Sequence, residues 1–392
     1  MPRLPVARRA LYLARVNWTT WRDEFPILAH TTYLNSCSLG ALSRRAERHI
    51  AQFHHEWHTL GASAWYEIWV SRLAELRGRV ARMLNATEPE IALAASVSAA
   101  LTVIGSALDY RSRPRVVLGA LDFPTLAYQW LARRDVEVVI VESDDGATID
   151  PQRFADAVDD RTALVATSHV YYTTGAIQDL RALADIAHAR GALYLVDAYQ
   201  SAGQVPCDVR AADADIFIAG PLKWLMGGPG LSYMYVRDSL IRELEPQCAG
   251  WWGARDQFDF DTRHFEFRDD ARRFELGTPA LPTVHAALGG QEIVDEIGVA
   301  NIRARNARLT ELLIDRVRAD GFDVRCAPDA VQRSAIVMVA HDEPAAAVAR
   351  LAERGIIVDH RPGFVRISPH FYNTEEEIER VTHELAATRH TA

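Results

Sequence analysis

The stretch that decides the fold is residues 195–236, which read LVDAYQSAGQVPCDVRAADADIFIAGPLKWLMGGPGLSYMYV. It holds three short apolar runs separated by polar or glycine-rich segments, which predicts three buried β-strands. Lys223 is the only lysine of the chain, because 42 of the 43 lysine and arginine residues are arginines. Lys223 follows the second run, so we expect it at the edge where open α/β sheets bind their ligands.

The same alternation extends upstream to about residue 90. Amphipathic segments lie between the apolar runs, such as DLRALADIAHARG (179–191), which begins with Asp and ends with Gly. This pattern predicts an α/β fold with a mostly parallel seven-stranded sheet and helices on both faces. Only about ten residues separate Gly220 from Gly230, too few for a helical crossover, so we expect the last strand to be antiparallel. The candidate strands are 91–96, 115–121, 136–142, 163–169, 192–198, 214–220 and 230–236.

The character of the sequence changes after GTPA (277–280). A long helical region (283–320, with a break near Gly298) precedes strands near 335–339 and 365–367. A closing helix begins at Asn373 or Thr374, where TEEE supplies a cap and first-turn acids. We therefore predict an N-terminal arm (1–30), a large domain (31–282) and a small C-terminal α+β domain (283–392).

Composition and charge restrict the class of protein. The hydrophobic fraction of 49% is ordinary for a globular chain, and the net charge of −9 without a long basic run makes nucleic acid an unexpected partner. The uncharged span 91–108 is long enough to cross a membrane, but it is better interpreted as a strand followed by a helix. Four scattered cysteines without a CxxC pair favour a reducing, cytoplasmic location.

Lys223 lies between Leu222 and Trp224, and partial desolvation by such neighbours lowers a lysine pKa and frees a neutral amine. A neutral amine forms an imine, which arginine cannot do because it stays protonated; the alternative is chance retention of a surface lysine. An imine-forming lysine predicts pyridoxal 5′-phosphate as its aldehyde cofactor. Asp197 ends an apolar strand 26 residues earlier and would face the cofactor's pyridine nitrogen. The alternative for Asp197 is an ordinary acid at the sheet edge.

This spacing of acid, glutamine and lysine resembles the class V aminotransferase superfamily of fold type I pyridoxal-phosphate enzymes. That group includes the cysteine desulfurases, isopenicillin N epimerase and the kynureninases. The likeness extends from YLNSCSLG (33–40) to FVRISPHFYNTEEEI (364–378), so it covers most of the chain. It implies a fold type I enzyme, an amino acid substrate and a homodimer with shared active sites.

The resemblance also implies cofactor contacts. Gln200 would donate a hydrogen bond to the phenolic oxygen, and Phe123 would stack on the pyridine ring, unless it is a core aromatic. The backbone amides of Ser98 and Ala99 would hold the phosphate at a helix N-terminus, the alternative being a plain N-cap.

Four further positions match segments that approach the phosphate or the substrate in relatives. Trp251 in GWWGA would reach the phosphate, and Thr278 in RFELGTPA would reach it from the neighbouring subunit. Tyr172 would lie beside the substrate. Arg366 would bind the α-carboxylate as a bidentate fork, unless it is a surface charge.

Departures from the family pattern narrow the chemistry. The segment IIVDHRPGFVR (356–366) lacks the nucleophilic cysteine of cysteine desulfurases, which argues against persulfide chemistry of that kind. Leu222 and Ala254 stand where kynureninases usually place Tyr and His.

His54 and His58 have the i, i+4 spacing of zinc ligands, but HExxH and a third ligand are lacking, so we predict no metal site.

These observations predict a pyridoxal-phosphate enzyme that acts on an amino acid, with Lys223 as the residue that holds the cofactor and then moves the α-proton. We favour transamination or related amine-level chemistry. Two alternatives stay open: Cβ–X cleavage of the kynureninase or C–S lyase kind, and a non-catalytic relative that keeps the cofactor as a sensor or structural ligand.

Overall fold

A central seven-stranded sheet dominates the computed structural model, which describes residues 16–391. Its strand order is β2-β8-β7-β6-β5-β3-β4. All neighbours are parallel except β8, which is antiparallel to both β7 and β2. The prediction of seven strands with an antiparallel last strand is therefore confirmed. The strands are β2 Ile91–Ala94, β3 Arg115–Gly119, β4 Glu137–Val141, β5 Thr162–Ser168, β6 Leu193–Asp197, β7 Ile216–Ala219 and β8 Ser232–Val236, after a short β1 at Thr32–Tyr33.

Helices cover the sheet, and their ends carry the expected caps. The helix at 180–188 begins after Asp179, whose carboxylate accepts a hydrogen bond from the Ala182 amide at 3.1 Å. Its apolar stripe of Leu183, Ala184 and Ala187 is buried against the sheet. The helices up to residue 241 are α1 Trp18–Arg22, α2 Arg44–Leu60, α3 Val70–Leu84, α4 Val97–Ser106, α5 Pro124–Leu131, α6 Pro151–Ala157, α7 Leu180–His188 and α8 Asp238–Ile241.

The C-terminal part combines helices with a second, antiparallel sheet of order β12-β13-β10-β9. Gly298 separates the first two helices with φ 82°, a left-handed conformation that suits glycine and explains the predicted break. Thr374 and Glu377 form a capping box at the start of the last helix, as TEEE predicts. These elements are α9 Leu281–Ile297, α10 Val299–Ala319, β9 Val324–Arg325, β10 Val337–Ala340, α11 Pro344–Glu353, β11 Ile356–Ile357, β12 Asp359–Arg361, β13 Phe364–Ile367 and α12 Glu375–Ala387.

Half of the predicted N-terminal arm, residues 1–15, lies outside the described residues. Residues 16–30 contain α1 and a short 3₁₀ helix at Pro26–Ala29. Arg22 in this segment forms an ion pair with Glu377 of α12 at 2.8 Å, and β1 pairs with β11. The segment is thus packed against the C-terminal part of the chain. The division at residues 30 and 282 stays a prediction.

The uncharged span 91–108 folds as β2 followed by α4, which confirms the strand-plus-helix interpretation. Within residues 16–391, we find no helix with the length and apolar character needed to span a lipid bilayer.

The parallel strands bring distant segments to one edge of the sheet. Ser168 at the end of β5 pairs with Asp197 at the end of β6, and Asp197 pairs in turn with Ile218 of β7. Loops that leave the carboxyl ends of these strands therefore meet above the same edge, which is where ligands bind in such sheets.

Candidate active site

A cavity of about 390 Å³ opens at this edge of the sheet. Seven of the predicted site residues line it, and they come from six separate segments of the chain. Loops after β2, β3, β5, β6 and β7 contribute, together with the C-terminal sheet. The lining residues are Cys37, Ser38, Ser96, Val97, Ser98, Phe123, Thr125, Ser168, Val170, Tyr172, Asp197, Tyr199, Gln200, Leu222, Lys223, Arg361 and Arg366.

Lys223 lies in the loop between β7 and β8 with its amine directed into the cavity. Its Nζ is 4.9 Å from the ring centre of Tyr199 and 5.8 Å from that of Phe123. Burial lowers the Lys223 pKa to about 8; the charges of Cys37 and Asp197 oppose this effect, and those of two arginines add to it. A lysine with this pKa has a substantial neutral fraction near neutral pH, as amine chemistry requires.

A glycine of the YLNSCSLG segment holds the lysine loop in place. The Gly40 amide donates a hydrogen bond to the Leu222 carbonyl at 2.9 Å. A Cβ at Gly40 would lie 2.1 Å from the Lys223 carbonyl oxygen, so the two backbones can approach this closely only without a side chain. This contact fixes the backbone from which Lys223 projects.

Asp197 ends β6 inside the cavity and is 7% exposed. One carboxylate oxygen accepts the Tyr199 amide at 2.9 Å. Burial raises the Asp197 pKa, while that hydrogen bond and the positive charge of Lys223 oppose the rise. A buried carboxylate of this kind is stabilised further by a cationic partner in the cavity, such as a protonated ring nitrogen.

Gln200 and Phe123 flank the same space. The Gln200 amide oxygen accepts the Trp224 indole N–H at 2.9 Å, and its amide nitrogen donates to the Cys37 carbonyl at 3.0 Å. These bonds orient the amide and leave the second N–H of its nitrogen for a ligand. Phe123 is 44% exposed, which contradicts the core-aromatic alternative and leaves a ring face in the cavity.

The first turn of α4 forms another wall. The helix begins at Val97, and the Ser96 side chain caps it by accepting the Ala99 amide at 3.1 Å. The Ala99 amide thus donates to the cap, which lies two residues before Ser98, and its predicted contact with the phosphate stays a prediction. The first-turn amides of Val97 and Ser98 have no acceptor within the helix, and both residues line the cavity. The Ser98 hydroxyl lies 3.4 Å from that of Thr125.

Arg366 lies on β13 and is 1% exposed, which contradicts the surface-charge alternative. Its guanidinium donates to the Tyr172 carbonyl at 3.1 Å, to the Ser38 hydroxyl at 2.7 Å and to the Asp359 carboxylate at 2.5 Å. The Arg366 Nε is buried and has no hydrogen-bond partner within the described residues. The guanidinium is thus held by three acceptors and keeps one unused N–H.

Tyr172 lies between the two ends of the cavity. Its ring meets Phe123 edge-on at 5.1 Å between centres, and the Arg361 guanidinium lies 6.0 Å from its ring centre. This places Tyr172 between the ring wall and the arginines, where the substrate is expected.

Within residues 16–391, the structure does not bring Trp251 and Thr278 to the cavity. Trp251 is 42% exposed and packs against Trp252 and Phe258, with ring centres 5.1 and 6.1 Å apart. Thr278 is exposed. Neither residue lines the cavity formed by its own chain, so their predicted contacts with the phosphate stay predictions.

The histidine pair of α2 lies elsewhere. His54 and His58 are exposed, while Glu56 is buried and accepts the Trp69 indole N–H at 2.9 Å. In the described part of the chain, no group of three or more His, Cys, Asp or Glu side chains is arranged to hold a metal ion.

Sequence reasoning missed several lining residues, including Cys37, Ser38, Thr125 and Arg361. Cys37 and Ser38 belong to a segment that matched the family pattern, and Arg361 belongs to the segment searched for a nucleophilic cysteine. For Cys37 and Ser38, the contacts that give these segments meaning join residues 163 and 328 positions apart, whereas Thr125 lies beside Ser98, 27 positions away.

Comparison with known proteins assigns this site to a family. The family model described as aminotransferase class V matches residues 28–381. The chain belongs to the class V aminotransferase family. It is 33% identical to an uncharacterized aminotransferase, YcbU, of Bacillus subtilis, over 94% of this chain and 97% of that protein. It is 28% identical to a kynureninase of Geobacillus thermodenitrificans, over 91% and 88% of the two chains.

The fold agrees with this assignment. The structure of a cysteine desulfurase from Thermococcus onnurineus NA1 superposes with a TM-score of 0.85 at 20% identity, covering 94% of this chain and 96% of that one. The fold is that of the fold type I pyridoxal-phosphate enzymes. As a class V enzyme, the protein uses pyridoxal 5′-phosphate as its cofactor.

The residues present suit that cofactor. The cavity offers a buried amine of lowered pKa, a buried carboxylate that needs a cationic partner, an exposed aromatic face and the amides of a helix N-terminus. These are the groups that an aldehyde, a pyridinium, an aromatic ring and a phosphate respectively require. The fit rests on the donors and acceptors of this cavity.

Proposed function

We propose that the protein transfers the amino group of an α-amino acid, with Lys223 as both the attachment point of the cofactor and the carrier of the α-proton. The observation that carries this proposal is the convergence of Lys223, Asp197 and Arg366 on one cavity. Pyridoxal 5′-phosphate supplies an aldehyde for the amino group and an electron sink for the charge left on the α-carbon. Because these three groups are all present, we do not pursue the non-catalytic alternative.

Each side chain has a separate task. Arg366 binds the α-carboxylate and so orients the amino acid with its α-hydrogen toward Lys223. Lys223 Nζ, once free, takes the α-proton and returns it to a neighbouring carbon, as an amine of pKa about 8 does readily. Asp197 keeps the pyridine nitrogen protonated, and Gln200 donates to the phenolic oxygen. Ser98 and the amide of Val97 hold the phosphate at the start of α4.

The attachment point has a direct test. Borohydride reduction of the holoenzyme followed by peptide mapping is expected to place a pyridoxyl group on Lys223. Since the chain has no second lysine, an unmodified Lys223 in reduced holoenzyme would overturn the proposal. The Lys223→Arg variant keeps the charge but is expected to give no label and no turnover, because a guanidinium does not act as a neutral amine.

Cβ–X cleavage is the second candidate, because the cavity contains possible proton donors for a leaving group. Cys37 and Tyr172 both line it. Transamination needs only the proton carried by Lys223, whereas a departing β-substituent must also be protonated. Incubation of the holoenzyme with single amino acids separates the two reactions: transamination yields the matching keto acid and the amine form of the cofactor, and cleavage yields alanine or pyruvate with the cofactor unchanged.

We further propose a homodimer in which Thr278 of the partner subunit completes the phosphate site. Support comes from the exposed Thr278 and from the neighbouring exposed aromatic side chains of Tyr66, Trp251, Phe258 and Phe260. At the phosphate end, the described lining residues are neutral: Ser96, Val97, Ser98 and Thr125. A twofold interface lets each chain supply the missing contact to the other.

Subunit mixing tests this arrangement. Lys223→Ala removes the attachment point, and Thr278→Asp sets a negative charge against the phosphate. Refolding the two inactive variants together is expected to restore part of the activity, because a mixed dimer then has one site with both groups intact. A mixture that stays inactive would show that Thr278 does not serve the site of the partner subunit. An active monomer in sedimentation would contradict the dimer itself.

A further inference from the structure

Two guanidiniums line the substrate end of the cavity, and one carboxylate outside the lining contacts both of them. Arg361 and Arg366 both line the cavity, one from β12 and one from β13. Asp359 lies beside them and accepts from Arg366 at 2.5 Å and from Arg361 at 2.8 Å through the same oxygen, Oδ2. The Ser38 hydroxyl donates to this oxygen as well, at 3.2 Å. Two positive groups therefore share a single negative one.

The β12–β13 hairpin creates this arrangement. Asp359 and Arg366 are register partners across the two strands, and Phe364 pairs with Arg361. Neighbouring residues on facing strands have side chains within contact distance, so the three charged groups are held by backbone pairing. The buried Arg366 has only 2% of its side chain exposed, against 30% for Arg361 and 26% for Asp359. The net charge of the group is thus fixed near +1.

A net charge of +1 matches one carboxylate. The other charged side chains of the cavity are Lys223 and Asp197, which the proposed function assigns to the cofactor. One α-carboxylate neutralises the arginine pair, since Asp359 has already neutralised the other positive charge. A second carboxylate on the substrate side chain would find no unpaired cation at this end and would be repelled by the nearby negative charge of Asp359.

We propose that Asp359 is a specificity-determining residue that restricts the enzyme to amino acids whose side chain carries no negative charge. This inference rests on the proposed function, because it takes Arg366 as the α-carboxylate site. Asp359 acts through the two arginines and through its own charge, so it is a selectivity and positioning residue and takes no part in the chemical step.

The test compares amino acids that differ in charge and hardly in shape. L-Aspartate and L-asparagine form one pair, and L-glutamate and L-glutamine the other. Apparent dissociation constants are measured on the holoenzyme from the change in cofactor absorbance during titration, and kcat/KM is recorded where turnover occurs. The wild type is expected to favour the amide of each pair by about tenfold or more.

Three variants make the comparison specific. Asp359→Asn removes the negative charge, so we expect the amide preference to fall by about tenfold or to reverse in favour of the acid. Arg361→Gln removes a positive charge, so we expect the preference for the amide over the acid to increase. Asp135→Asn is the matched control, because Asp135 pairs with Arg133 at 2.7 Å on an exposed site and does not line the cavity. If Asp359 had a purely structural role, its replacement would weaken the binding of the acid and of the amide equally and leave the ratio of their affinities unchanged.

The outcomes separate this inference from the proposed function. An Asp359→Asn enzyme with an unchanged acid-to-amide ratio, or a wild type that prefers the acids, overturns the inference. Where none of the four amino acids binds, propionate and succinate are titrated calorimetrically in their place. Failure of both to bind also counts against it. Borohydride labelling of Lys223 in the same preparations reports on the proposed function independently: labelled Lys223 with an unchanged ratio refutes only the role of Asp359.

Discussion

Replacement of Arg366 by alanine is the most informative single perturbation of substrate binding. The guanidinium is buried and is already held by Tyr172, Ser38 and Asp359, so little conformational entropy is lost when it binds a carboxylate. A charge-assisted bond of this kind contributes about 1.5–3 kcal/mol. Loss of that contribution weakens binding of an amino acid by roughly 10- to 150-fold.

The assay compares an amino acid with an amine that lacks only the carboxylate, such as L-norvaline and butylamine. Titration of the holoenzyme, followed by cofactor absorbance, is expected to show the loss for norvaline and a change of less than about threefold for butylamine. Arg325→Gln serves as the control, because that arginine lies 4.1 Å from the Phe364 ring centre and does not line the cavity. An equal loss for the amine and the amino acid would refute the assignment of Arg366.

Two further predictions follow from the same structure. Burial holds the Lys223 pKa near 8, so the rate at which apoenzyme takes up pyridoxal 5′-phosphate should rise about tenfold per pH unit below 8 and level off above it. Stopped-flow reconstitution measures this rate. A rate that keeps rising to pH 10 would show that Lys223 has the pKa of an ordinary lysine. Glu275→Gln should lower the free energy of unfolding by about 3–5 kcal/mol, because the buried Arg77 then loses its carboxylate partner at 2.8 Å. Glu137→Gln, at a partly exposed pair with Arg115, should cost less than about 1 kcal/mol. Urea unfolding measures both variants, and equal effects would contradict the argument from burial.

The central sheet could be predicted because its strands, except the edge strand β4, are buried on both faces and therefore form nearly continuous apolar runs. The antiparallel direction of β8 followed from chain length alone, since the segment after Gly220 is too short for a crossover. Lys223 and Asp197 could be located from the local sequence, because one is the single lysine among arginines and the other is an acid at the end of an apolar strand.

The short strands β1, β9, β11 and β12 were not predicted, since two or three residues carry too little periodicity to be recognised. The helix cap provides a second case. SVSAA (96–100) contains two serines that are chemically equivalent in the sequence, and only the backbone geometry shows that Ser96 is the cap and that the Ala99 amide is consumed.

The sequence by itself determined the sheet, the cofactor and the lysine predicted to hold it, because each depends on a local pattern of burial or on one exceptional amino acid. It also singled out Tyr172 and Arg366, but the tertiary structure alone decided the balance of charges around Arg366. Ser38, Tyr172, Asp359 and Arg366 come together there from segments up to 328 positions apart. Their joint charge depends on distances that no local pattern encodes, because Coulomb interactions act through space and not along the chain.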